Sequence, residues 1–352
     1  MSDLPRYGLA MIVRNEEANI RRCLESVKSH IGYYVISDTG STDATMDIIR
    51  EVLAGIPGEL REDPWRNFGH NRSIVFAEIR GKCRWALALD ADMELAIDPD
   101  FVPDPTVDAY MIEMGKHTDF SYRLPLLVRG DLPWISVGAV HEYTALEDGR
   151  QSIVQATDKV RIDMGDVYRG SVEKYQGYAR LLEGMLAEDP DNPRTVYYLG
   201  QTYETLGDPR AREVLLRRMK MGGYAPEASY AAFMAAKLAP DWPTQMTELL
   251  AAWEMNPKRI EPLHFLVRGL NERGMHRAAY ALASITPILC DDVLFVHRAI
   301  WDWGMKFEKS IAAWWVGYPA EAKVLCDELL ANPRLPDYVR EQVILNRSYS
   351  EV

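Results

Sequence analysis

Short apolar runs alternate with amphipathic stretches through the first hundred residues. Gly8-Leu-Ala-Met-Ile-Val13, cut off by Arg14-Asn15-Glu16-Glu17, reads as a buried strand. Ile20, Leu24 and Val27 follow at helical spacing, with Arg21, Arg22, Glu25 and Lys28 elsewhere, which predicts a helix covering a sheet. Tyr33-Tyr-Val-Ile36 is a second strand, ending in Ser37-Asp38-Thr39-Gly40-Ser41-Thr42-Asp43. There Gly40 supplies a turn, Ser41 or Thr42 caps the next helix, and Met46, Ile48, Ile49 and Val52 form its buried side. Ile74, Phe76, Ala77 and Ile79 mark a third helix, which leads to the apolar run Trp85-Ala-Leu-Ala-Leu89. Strand and helix alternating in this way favour a parallel sheet.

Beyond that run the pattern changes. Ala109–Met114, Arg123–Val128 and Ile135–Val140 read as short strands separated by Gly, Asp and Pro, and Lys159-Val-Arg-Ile-Asp163 as a closing strand. From about Val172 the chain becomes almost wholly helical. Val196-Tyr-Tyr-Leu199-Gly200-Gln-Thr-Tyr203 carries the Leu-Gly-x-x-Tyr core of a tetratricopeptide helix, with Leu206-Gly207-Asp208 as its turn. Ala313 to Pro333 resembles the second half of another such repeat, so three or four degenerate repeats are expected. The expected organisation is an α/β domain over 1–170 and a helical-repeat domain over 171–352.

Composition narrows the class. The 352 residues are 47% hydrophobic and 26% charged, as in an ordinary globular protein. A formal charge of −12 disfavours nucleic acid as the main partner. Cys23, Cys83, Cys290 and Cys326 are far apart and lack a Cys-x-x-Cys, which argues for neither a zinc knuckle nor a disulfide framework. No apolar run approaches the roughly 20 residues of a membrane span, and Met1 to Tyr7 does not read as a signal peptide. A cytoplasmic location is therefore expected.

Candidate chemistry follows from the strand ends. Asp90 and Asp92 stand at the carboxyl end of the apolar run, where open α/β sheets bind ligands. Asp38, after the second strand, faces the same crevice if the strands are parallel; it either contacts a ligand or stabilises its own turn. Arg72, near the start of the third helix, either binds phosphate oxygens or pairs with Asp90. Neither a Gly-x-Gly-x-x-Gly nor a P-loop pattern occurs at a strand-to-helix junction, which argues against Rossmann dinucleotide and P-loop chemistry.

Four segments taken together resemble family 2 glycosyltransferases, which have the GT-A fold: Met11-Ile-Val-Arg-Asn15-Glu16-Glu-Ala-Asn-Ile20, the Ser37–Asp43 turn, Asn67-Phe-Gly-His-Asn-Arg72-Ser73 and Leu87-Ala-Leu-Asp90-Ala-Asp92. The resemblance implies an inverting, divalent-metal-dependent transfer from a nucleoside diphosphate sugar, a UDP-sugar foremost, with Mn²⁺ or Mg²⁺. It places Asp38 at the nucleoside base, Asp90, Asn15, Glu16 and Arg72 at the donor, and Asp92 at the metal. A Trp...Gly...His-Glu element common in relatives with appended helices is matched by Trp134, Gly138, His141 and Glu142. Glu142 is then the general base and His141 a metal ligand or diphosphate contact, the competing assignment giving His141 the base role. Ser73 stands where many relatives have Asn and Met93 where an acid often follows. Asp163, near which relatives often carry His, is a candidate metal ligand by substitution, with Asp166 beside it.

The repeats would select or position an acceptor, which the sequence leaves open among protein or peptide, glycan and lipid-linked sugar; a homodimer is also compatible. Arg210, Arg212, Arg217, Arg218 and Lys220 would not all share one helix face and read as a solvated surface rather than a phosphate-binding groove, and Trp301, Trp303, Phe307, Trp314 and Trp315 read as core or as a sugar-stacking surface. Two other classes fit less well. One is a catalytically inactive binding scaffold, disfavoured by the retained acids; the other is a nucleotidyltransferase, disfavoured by the lack of a Gly-rich triphosphate loop.

Overall fold

The computed structural model describes residues 4–114, 120–163, 171–285 and 296–349; Asp166 and Cys290 lie outside them. The chain divides into two compact units, Met1–Met185 and Leu186–Val352. The division expected at residue 170 lies just before a long helix, most of which belongs to the first unit.

The first unit runs β1 (Tyr7–Val13), α1 (Ile20–Val27), β2 (Ile31–Asp38), α2 (Thr45–Val52), β3 (Gly58–Glu62), α3 (Phe68–Ile79), β4 (Trp85–Ala88), β5 (Glu94–Ile97), β6 (Ala109–Met114), β7 (Phe120–Arg129), β8 (Trp134–Val137), β9 (Tyr143–Leu146), β10 (Val154–Thr157), β11 (Val160–Asp163) and α4 (Val172–Glu188). Seven strands of the first unit lie in the main sheet in the order β10-β6-β7-β4-β1-β2-β3. β1, β2, β3 and β4 are parallel, while β7 runs antiparallel to both β4 and β6. This is the Rossmann-like mixed sheet expected of the GT-A class.

The two-residue period of β1 sends side chains to two cores. Leu9, Met11 and Val13 join Ile20, Leu24, Val27 and Ile49 of α1 and α2. Ala10 and Ile12 join Val75, Phe76 and Ile79 of α3 on the other face. A strand covered on both faces has no polar alternation, which is why β1 and β4 read as continuous apolar runs. Each fully buried Leu, Met or Ile contributes about 1.5–3 kcal/mol.

Several expectations shift. β3 escaped the apolar pattern because Gly58-Glu-Leu-Arg-Glu62 holds a single large apolar residue; it is the edge strand, where charges are favourable. β11 closes the domain as a partner of β5 in a separate two-stranded sheet. The strand expected over Ile135–Val140 spans Trp134–Val137, because Gly138 at φ 116° turns the chain out of extended geometry.

In the second unit the described α-helices are α5 (Pro193–Leu206), α6 (Ala211–Lys220), α7 (Ala225–Lys237), α8 (Trp242–Met255), α9 (Glu261–Glu272), α10 (His276–Ala283), α11 (Met305–Trp315), α12 (Pro319–Leu330) and α13 (Asp337–Tyr349), with a short π-helix over Ile300–Gly304. Helices α5/α6, α7/α8, α9/α10 and α11/α12 pack as consecutive pairs, matching the expected repeat organisation. Asn192 caps α5 by accepting from Thr195 N–H at 3.0 Å, ahead of Pro193. Gly207 ends that helix at φ 66°, and Asp208 N–H returns to the Tyr203 carbonyl. At Gly200 an added Cβ would lie 2.8 Å from Leu215, so the glycine of the repeat core lets α5 and α6 approach.

One surface expectation is corrected here. Arg218 is fully buried, 3.3 Å from Glu227 and donating to the Gly222 and Tyr224 carbonyls. Arg210, Arg212 and Arg217 pair with Asp208, Glu248 and Asp191, so the basic run is ion-paired and partly internal. Trp303 and Phe307 pack on the α12/α13 core, whereas Trp315 is exposed and stacks on His276 with ring centroids 4.9 Å apart.

Candidate active site

β1 lies between β2 and β4, so the crevice opens at the carboxyl ends of three parallel strands. The chain leaving β1 and the turn after β2 are laced together. Asn15, held at φ 54°, donates its N–H to Ser41 Oγ at 2.9 Å and accepts from Thr42 N–H at 2.8 Å. Glu16 N–H donates to Thr45 Oγ1 at 2.7 Å, and Glu17 accepts from Ala44 N–H at 3.0 Å. Asparagine tolerates the left-handed conformation because its short amide bonds locally. Asn15 thus serves the loop, and Glu16 turns into the cleft.

Asp38 fills the turn-stabilising role of the two open to it. Its Oδ2 accepts from Gly40 and Ser41 N–H at 3.0 and 2.9 Å, stabilising the turn. Its Oδ1 is buried without a hydrogen-bond partner. A buried, unsatisfied carboxylate oxygen costs on the order of 1–3 kcal/mol, which a donor N–H from a ligand would recover.

The start of α3 and the loop after β8 are fitted to one another. An added Cβ on Gly69 would lie 2.3 Å from the Gly138 carbonyl oxygen, to which Gly69 N–H donates at 3.1 Å. Ser73 Oγ accepts from Ser136 N–H at 2.9 Å, so the residue that departs from the family pattern clasps α3 to β8. This contact brings Arg72 beside the His141-Glu142 turn. Arg72 donates through Nε to Glu142 Oε1 at 2.9 Å and through Nη2 to Asp90 Oδ1 at 2.8 Å. Burial opposes the guanidinium charge, but Asp90 and Glu142 outweigh it and hold the group above its usual range.

A cleft of about 660 Å³ is lined by Arg14, Glu16, Thr39, Trp65, Phe68, Arg72, Asp90, Asp92, His141, Glu142 and, from α4, Glu173, Lys174, Gly177, Tyr178 and Leu181. That volume suits a nucleotide-sized ligand. Burial first, and then the neighbouring Asp90, raises the pKa of Asp92. Glu16 is raised in the same way, by burial first, with Asp92 and Asp90 adding to it. Burial and then the Asp90 and Asp92 charges push the Cys23 thiol up to about 12, so it stays protonated. The acids therefore form a crowded negative pocket that a cation would relieve.

Among the described residues no three His, Cys, Asp or Glu side chains converge closely enough to hold a metal by themselves. That still fits Mg²⁺ or Mn²⁺ at a nucleotide site, where one or two carboxylates suffice and phosphate oxygens complete the shell. His141, at φ 51°, lies edge-on to Tyr178 with centroids 5.7 Å apart. Trp134 is buried and donates Nε1–H to the Arg129 carbonyl at 2.8 Å, which makes it a core residue under the loop. Asp163 pairs in register with Glu94 at the end of β11, and neither it nor Trp134 is among the residues lining the cleft. Met93 is buried, with its sulfur accepting from Asp90 N–H at 3.4 Å.

The α4 wall escaped the strand-end logic, which ended near Val172. Its signal was present in Lys174, Tyr178 and Leu181 at i, i+4 and i+7, a stripe that reads equally well as helix core. Tyr178 packs edge-on against Phe68 and Tyr175 as well as His141. Burial and then the Glu142 charge push its phenol above the usual range.

Residues 9–103 match the model of the family described as Glycosyl transferase family 2, which identifies this segment as a domain of that family. The glycosyltransferase SunS of the SPbeta prophage in Bacillus subtilis (strain 168) is 33% identical over 224 residues, covering 58% of this chain and 51% of that protein. An uncharacterised glycosyltransferase of Rickettsia typhi is 35% identical over 130 residues, covering 36% of this chain and 41% of its own length. The chain thus spans about half the length, or less, of these curated relatives. Among solved structures, MamA aligns at a TM-score of 0.36 and 20% identity, over 46% of this chain and 83% of its own, too distant to carry an argument.

Proposed function

We propose that the protein is an inverting glycosyltransferase that moves a sugar from a nucleoside diphosphate sugar, a UDP-sugar foremost, to an acceptor bound beside Glu142, with Mn²⁺ or Mg²⁺ at Asp92. The observation that carries this reading is the convergence of Asp90, Asp92, Arg72, His141 and Glu142 on one cleft at the ends of parallel strands. Asp38 Oδ1 accepts a base N–H, and Asp90 supports the ribose and the metal end. Asp92, with His141 as a further contact, would hold the cation, which when bound would supply Lewis-acid stabilisation to the leaving diphosphate.

Inversion in a single displacement requires a base on the face of the sugar opposite the diphosphate. Arg72 occupies Oε1 of Glu142, and Oε2 is left to take the acceptor's proton as its nucleophile bonds to the anomeric carbon. Arg72 fixes Glu142 in direction, which favours attack over drift of the carboxylate. The helical unit would present the acceptor, whether protein or peptide, glycan or lipid-linked sugar, and assembly as a homodimer is compatible with this scheme.

Thermal denaturation with a panel of nucleoside diphosphates tests the donor site. One nucleotide should raise the melting temperature only when Mn²⁺ or Mg²⁺ is present. Absence of any response would favour a scaffold without catalysis.

A further inference from the structure

The charges lining the cleft do not suit a diphosphate as they stand. Five carboxylates face three cationic side chains, Arg14, Arg72 and Lys174. Arg72 is already committed to Asp90 and Glu142 at 2.8 and 2.9 Å, so moving it to a phosphate would strand two acids. Lys174 differs: like Arg14, it has no carboxylate within ion-pair distance among the described residues. Its ammonium lies 5.8 Å from the centre of the Tyr178 ring, a cation–π contact that leaves its charge available. It lines the same cleft as Asp90 and Asp92, the proposed metal end.

On the reading of the cleft as a donor site, we propose that Lys174, rather than Arg72, is the side chain that neutralises the diphosphate of the donor. Lysine suits the task. A compact charge on a flexible stem can follow the phosphate as negative charge grows on it, whereas the Arg72 fork is held by two fixed partners. α4 then supplies a binding residue to the α/β domain from outside the segment that matches the family model. Tyr178 positions this residue, with its own ring held by Phe68 and His141.

Titration calorimetry of the full chain with UDP, with GDP as an alternative, in the presence of Mn²⁺ tests the assignment, and uridine serves as a probe lacking phosphate. Lys174→Met should weaken nucleoside diphosphate binding about tenfold or more and leave uridine binding unchanged, while Lys174→Arg should restore most of the loss. The wild-type affinity should also fall more steeply with added salt than that of Lys174→Met. Nucleoside diphosphate affinity within twofold of wild type in Lys174→Met would overturn the assignment and leave the donor reading intact. A wild-type protein that binds no nucleoside diphosphate would overturn both.

Discussion

Arg72 decides the behaviour of the site at the scale of single residues, because one guanidinium orients an acid of the donor end and the proposed base. Arg72→Met should cost about 2 kcal/mol of stability in urea denaturation, since Glu142 would keep its burial and lose its partner. Glu142→Gln preserves the shape and should leave nucleotide affinity unchanged while slowing turnover about a hundredfold or more. Near wild-type turnover in Glu142→Gln would move the base role to His141. Asp90 and Asp92 were legible because they follow the end of a parallel strand, where topology alone points side chains into a crevice, whereas Arg72 reaches it from α3 and Asp38, at the end of β2, is not among the residues lining it. The Arg72–Glu142 pair was not legible, since 70 residues separate the partners and their meeting depends on the Gly69–Gly138 approach. Trp134 shows the opposite limit: its place in a motif says nothing of whether the ring faces ligand or core.

At the scale of elements, the strands and helices with a clear period were legible, and those formed by pairing were not. β1, α1, α2 and β4 declare themselves through apolar runs or helical spacing, whereas β3, β5 and β10 have little local preference and exist because a neighbouring strand offers its edge. α4 is the element with most to test. Gly177 and Gly184 both lie within it, without left-handed geometry and with open space where a Cβ would be. Gly184→Ala, on an exposed position away from the cleft, should stabilise the protein by about 0.5–1 kcal/mol with nucleotide binding unchanged. Gly177→Leu would project into the cleft and should weaken binding of a donor sugar. Equal donor affinity in both variants would remove α4 from the site.

At the scale of the whole molecule, two units with different physics share one chain. The helical unit carries a pH sensitivity of its own. Burial, reinforced by Arg268 and then His297, lowers the His264 pKa to about 4 from an ordinary 6.5, and its Nδ1 is buried without a partner. Above pH 6.5 the imidazole is neutral in both folded and unfolded chains. As pH falls from 6.5 towards 4 the unfolded chain takes a proton that the folded one refuses, so stability declines across that window by about 2 kcal/mol. His264→Leu should flatten this slope in denaturant titrations run at successive pH values. The central claim concerns the α/β unit. Its most direct test is mass spectrometry of the full chain incubated with a panel of nucleoside diphosphate sugars, with and without Mn²⁺, alongside Asp92→Ala. The account predicts that one donor is cleaved at its sugar–phosphate bond only when the cation is present, and that Asp92→Ala abolishes this. Donors left intact across the panel with cation and cell extract supplied, or cleavage that persists in Asp92→Ala, would contradict it.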